Sequence, residues 1–87
     1  MQRLDGQRPE ISYPCSWTYR IISSDEENLR TAVSELVSSP GYSLKRIGAS
    51  GTGRYIRMEL VTEVRDEAER NALFVALEKL PHVRFVL

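Results

Sequence analysis

The sequence predicts an α+β fold in which a four-stranded antiparallel sheet carries two helices on one face, in the order βαββαβ, and three observations predict it. Four segments alternate apolar and polar residues with the period of a strand. Two segments between them repeat apolar residues with the period of a helix. Each helical segment is apolar along one stripe only, so each covers one neighbour and leaves its other side to water. A strand-helix-strand unit used twice, with right-handed crossovers, lays both helices on the same side of one sheet. The expected architecture is a ferredoxin-like βαββαβ sandwich with one face packed and the other open.

Residues 1–10 are polar, contain Gly6 and Pro9 and have no period, so a flexible N-terminal tail is expected before a single domain over residues 11–87. From Cys15 to Ile22 the chain alternates, with Cys15, Trp17, Tyr19 and Ile21 on one side and Ser16, Thr18, Arg20 and Ile22 on the other. This segment is rich in the aromatic and β-branched types that suit a pleated surface and predicts the first strand, with Trp17 and Tyr19 at the centre of the core. Ser24, three residues before Glu27, has the spacing of a capping box and predicts a helix start. Leu29, Ala32, Val33, Leu36 and Val37 form its stripe, and Pro40-Gly41 ends it.

Tyr42 to Ala49 predicts a second strand of weaker pattern, and Gly48 to Gly53 supplies the permissive backbone of a hairpin. Arg54 to Val64 is the clearest strand, with Ile56, Met58, Leu60 and Val64 expected in the core and Tyr55, Arg57, Glu59 and Val61 opposite. Asp66 and Glu69 repeat the capping-box spacing. Ala72, Leu73, Ala76, Leu77 and Leu80 form the second helical stripe, which stops before Pro81. Val83, Phe85 and Leu87 alternate with Arg84 and Val86 in a final short strand, Arg84 belonging to the outward set.

With 87 residues, the chain has room for one core, and its 41% hydrophobic and 28% charged residues are the balance of an ordinary globular domain. A core this small gains from association with a second copy or a partner. Twelve basic and twelve acidic residues cancel, so no global field draws the chain to nucleic acid or to an anionic membrane. Cys15 is the only cysteine, which excludes an intramolecular disulfide and a multi-cysteine metal site and fits a reducing compartment. No apolar run approaches the ~18 residues of a membrane span, so a cytoplasmic setting is expected.

Chemistry-bearing residues are few. Cys15 as a nucleophile needs a base, and His82 is the single histidine, so structural roles are the expectation for both. Gly48 to Gly53 lacks the lysine of a phosphate-binding P-loop and precedes a strand, which favours a plain hairpin over an anion nest. Ser23-Ser24-Asp25-Glu26 places acid where an acylphosphatase-like enzyme would need a phosphate-holding arginine. No catalytic, cofactor-binding or metal-binding residue is expected.

The best local basic patch comes from Arg20, Arg57 and Arg84 on the outward sets of three strands, with Tyr55 and Glu59 beside them. These five residues are the candidate open-face interaction surface. An aromatic ring that stacks bases and arginines that hold phosphates would make it an RNA platform. Glu59 in the same row and the single aromatic favour cross-strand charge pairing on a solvated face instead. Ile22 and Val61 on that face supply apolar surface for a dimer patch.

Tyr13-Pro14-Cys15-Ser16-Trp17-Thr18-Tyr19-Arg20-Ile21-Ile22, the Ser50 to Tyr55 segment and the ending His82-Val83-Arg84-Phe85-Val86-Leu87 together resemble the YbeD-like family of small bacterial proteins. The resemblance runs from about Ile11 to Leu87, through a Pro-Cys-containing first strand, Gly53-Arg54-Tyr55 leading into the third strand, and a Val-x-x-Val-Leu-like finish. The chain departs from the family pattern at Ser23, where glycine is usual after the first strand, and at Arg54, where lysine is usual. The resemblance implies a ferredoxin-like fold similar to ACT regulatory domains, a cytoplasmic bacterial setting and a suggested link to lipoate metabolism. The expectation is a non-enzymatic regulatory or protein-interaction module. It would pair with a second copy or another protein, take a small-molecule ligand at an interface, and use no cofactor and no membrane. RNA binding over the open sheet is the alternative.

Overall fold

The computed structural model describes residues 11–87, so the expected tail at residues 1–10 lies outside the described residues. Along the chain run β1 (Cys15–Ser23), α1 (Glu26–Leu36), β2 (Ser43–Ala49), β3 (Ile56–Val64), α2 (Glu67–Glu78) and β4 (Val83–Val86). The strands form one antiparallel sheet in the order β2-β3-β1-β4. This is the ferredoxin-like α+β fold. β1 lies inside the sheet and pairs with β3 over its whole length, from Cys15 opposite Val64 to Ser23 opposite Ile56.

One face of the sheet meets the helices. Tyr19 and Ile21 of β1, Met58 and Leu60 of β3, Leu29 and Val33 of α1, Val37, Leu77 of α2 and Val86 of β4 make the core. Most of these are fully removed from water, and each such aliphatic side chain contributes about 1.5–3 kcal/mol of burial. Tyr19 reaches through this layer to α2, where its hydroxyl donates to the Arg70 carbonyl at 2.7 Å. Trp17, expected at the centre, sits half-buried at the margin. The Arg70 guanidinium lies 4.4 Å from its ring centroid, a stacking that suits a partly wet site.

Helix α1 begins one residue later than the capping-box spacing suggests. Asp25 is the cap: its Oδ1 accepts the Asn28 N–H at 3.0 Å, and its Oδ2 accepts from the Asn28 side chain at 2.7 Å. Ser24 is drawn away to the end of the sheet, its N–H donating to the His82 carbonyl at 2.9 Å. The helix stops at Leu36, and Val37 is already extended at φ −94 and ψ 120. Serines at 38 and 39 are modest helix formers, and Pro40 pushes the residue before it out of the helical region.

At α2 the serine-free version of the box half forms. Asp66 Oδ1 accepts the Glu69 N–H at 2.8 Å, but the Glu69 carboxylate reaches past the cap to accept the Arg65 N–H at 2.7 Å. That backbone bond, reinforced by the Arg65 guanidinium, holds the Glu69 carboxyl below the usual carboxylate range. The buried stripe is Leu77 with Leu73, Phe74 and Leu80 packed beside it, while Ala72 faces out.

The hairpin is shorter than Gly48 to Gly53. Gly48 and Ala49 belong to β2, paired with Arg57 and Ile56, and β3 starts at Ile56 rather than Arg54. The turn is closed by the Ser50 N–H donating to the Tyr55 carbonyl at 2.8 Å, and Gly53 takes the positive φ of 74 that the turn requires.

Candidate functional site

The side of the sheet away from the helices is uncovered by any described residue, and the pairing register fixes its rows. Lys45 lies opposite Glu59, Glu59 opposite Arg20, and Arg20 exchanges backbone hydrogen bonds with Leu87 at 3.0 and 2.7 Å. The next row is Gly48, Arg57, Ile22 and Phe85. A row nearer the start of β1 holds Ser43, Val61 and Thr18.

All five residues of the predicted patch lie on this face, but they do not act alike. Arg20 pairs with Glu59, Nε to Oε2 at 3.5 Å. Arg84 places its guanidinium 5.6 Å from the centroid of the Tyr55 ring. The two meet because Ile56 and Val83, their chain neighbours, flank Ser23 on its two sides. Arg57 lies flat across the sheet over Gly48, where a Cβ would collide with the guanidinium, its Cζ and Nε falling within 2.9 Å. Glycine at 48 is thus the seat of the Arg57 side chain. A bulge at Ile47 in β2 restores the register around it.

The outward set of β4 is not the one that simple alternation predicts. Ser23 pairs with Val83 and Ile22 with Phe85, so β4 carries one extra residue at Arg84. The bulge reverses the phase of the strand. Val86 turns into the core at 7% exposure, while Phe85 and Leu87 stand on the open face at 61% and 75%. The face therefore holds two aromatic rings, Tyr55 and Phe85, and an apolar step formed by Ile22, Phe85 and Leu87. Phe85 and Leu87 were missed by period-two reasoning. The signal that finds them is the three-residue spacing of Val83 and Val86, which cannot share a face in an unbulged strand.

Cys15 and His82 do not meet. Cys15 opens β1 opposite Val64, and His82 lies at the far end of β1 beside Ser24, a strand length of roughly 30 Å away. Pairing of β4 with only the last part of β1 separates them. His82 Nδ1 is buried and has no hydrogen-bond partner among the described residues. Two of the grooves among the described residues involve the helix side. One, of about 550 Å³, runs between the end of α1 and α2 and is lined by Leu36, Val37, Thr62, Arg65, Glu69 and Leu73. The other, of about 530 Å³, lies along β1 beneath Arg70 and Phe74 of α2. No helix among the described residues is long and apolar enough to cross a membrane.

Fold and face together define a small ferredoxin-like α+β domain with one sheet surface left uncovered by the described residues. The chain belongs to the DUF493 family of proteins of unknown function, which it matches over residues 8–87. It is similar to an uncharacterized protein of Helicobacter pylori strain J99, at 30% identity over 95% of this chain and 96% of that one. A second uncharacterized protein, from H. pylori strain 26695, is 28% identical over 91% of this chain and 92% of its own length. Two solution structures of the H. pylori protein HP0495 share the fold. One has a TM-score of 0.82 and 28% identity over 93% of this chain and 89% of that chain, the other 0.62 and 26% over 95% and 96%.

Proposed function

We propose that this chain is a non-enzymatic interaction module that associates with a second copy of itself through the open sheet face. The observation that carries this reading is the exposure of Phe85 and Leu87 beside Ile22, an apolar step raised on a face that also carries Arg20, Arg57 and Glu59. Large apolar side chains grouped on a small domain mark contact surface, and aromatic and arginine residues are the types enriched at interface centres.

Charge supports a second copy as the partner. Along β3 the outward residues run from Arg57 near the hairpin to Glu59 and Glu63 toward the other end, and Arg84 lies at the basic end. Two faces stacked about a two-fold axis perpendicular to the strands set the acidic end of one against the basic end of the other, at the usual sheet separation of about 10 Å. The family resemblance to ACT-like domains implies a ligand site at an interface. Ligand binding at the interface and a tie to lipoate metabolism follow only from the family resemblance. A thermal-shift screen with amino acids and lipoyl compounds tests that part.

Analytical ultracentrifugation tests the association. A dimer at high micromolar concentration is expected, with Phe85→Ser shifted to monomer and its fold retained by circular dichroism. Native protein that sediments only as monomer at that concentration overturns the reading.

The second aromatic on the face favours one further reading. Phe85 and Tyr55, with Arg57 and Arg84 beside them, offer rings for bases and guanidinium groups for phosphates. Binding of single-stranded RNA that weakens with salt, and is lost when Arg20, Arg57 and Arg84 become alanine, would support this reading over self-association. Binding unchanged by those replacements would remove it.

A further inference from the structure

We propose that the outer edge of β1 at Ser16 and Thr18, roofed by α2, binds one extended peptide strand that carries an aliphatic side chain and a carboxylate on the same side. This surface is separate from the open face. Arg20 turns its N–H and C=O toward β4 and exchanges both bonds with Leu87. Residues two apart in a strand direct these groups the same way, so Thr18 and Ser16 present theirs along the same edge. β4 pairs with Ile21, Ile22 and Ser23, and no described residue takes the edge groups of Ser16 and Thr18.

The edge opens into the groove of about 530 Å³, with Trp17 and Tyr19 as its floor and Arg70, Asn71 and Phe74 of α2 above. A strand laid in line with β4, about 4.8 Å from β1, meets the four outward backbone groups and sends every second side chain under α2. An aliphatic side chain opposite Trp17 fits between Trp17 and Phe74. Arg70 is the one charged side chain among the described residues of the lining. Among the described residues its carboxylate contact is to Glu67, 3.6 Å long and made with a side chain 70% exposed, and its Nη1 donates to the Tyr13 hydroxyl at 3.1 Å, so an incoming carboxylate displaces only a weak ion pair. The occupant is a single strand rather than a second β1. Pairing β1 with β1 brings two copies of α2 over one strand spacing of about 4.8 Å, whereas packed helices need 8–10 Å.

Trp17 is the only tryptophan of the chain, so its fluorescence reports the groove without a label. The probe is acetyl-Thr-Val-Thr-Glu-Thr-amide titrated into the full chain. Expected are a saturable change in tryptophan emission at millimolar peptide and matching shifts of the Ser16 and Thr18 amide resonances. N-methylation of the central threonine, which removes a backbone donor and leaves the protein untouched, is expected to weaken binding roughly tenfold. Replacing the peptide glutamate with glutamine is expected to weaken it about fivefold. No saturable change, affinity indifferent to N-methylation, or shifts confined to Arg57 and Phe85 on the open face would each overturn the proposal.

Discussion

Two residues show how side-chain chemistry is set by position. The Tyr19 phenol is buried, and burial, only partly offset by the nearby Arg70 charge, raises its pKa above the ordinary 10.0. Only the neutral phenol can donate to the Arg70 carbonyl. Folding therefore favours the protonated form. Its contribution is fully present below the unfolded-state value of about 10 and is lost as pH rises through the higher folded value. Tyr19→Phe should cost about 1 kcal/mol in urea unfolding at neutral pH, and the gap between the two proteins should close as pH rises through that window. Gly48→Ala tests the seat of Arg57. The group displaced is the far end of a flexible side chain, so stability should stay within about 0.5 kcal/mol of native in a thermal melt. The displaced guanidinium should nonetheless weaken self-association in the ultracentrifuge.

At the scale of elements, caps decide where helices begin. Asp25→Ala should destabilise by about 1 kcal/mol, and Ser24→Ala, whose hydroxyl holds only a long 3.4 Å contact to the His82 carbonyl, should cost less. Chemical denaturation of both variants ranks them, and the reverse order would restore Ser24 as the cap. All six elements were legible, because apolar period and the Pro40-Gly41 and Pro81 breaks are local signals. Choosing Asp25 over Ser24 was not, since Ser24 is claimed by His82, which lies far away in the chain. The candidate face was legible in β1 and β3, where unbroken alternation placed Arg20, Arg57 and Glu59. In β4 it was not: a bulge is a pairing property of two strands, and the sequence of one shows only its spacing. The contact of Arg70 with Trp17 joins elements with no shared pattern and left no sequence signal.

The whole molecule depends on one layer of side chains between sheet and helices. Leu29 is fully buried in that layer and touches no solvent. Leu29→Ala should cost about 2–5 kcal/mol, a large share of what so small a domain holds, and differential scanning calorimetry should show a Tm lower by well over 5 °C or no transition.

β1 comes first in the chain yet is one of the two inner strands of the sheet, pairing Ile21 with Met58 on one side and with Val86 on the other. Such distant partners make for slower folding than in a helical bundle, because chain entropy is lost before the contacts that repay it are made. During synthesis, Tyr19 and Ile21 emerge from the ribosome well ahead of Val86. Until Val86 arrives, β1 offers its bare flank to any passing chaperone or neighbouring nascent chain.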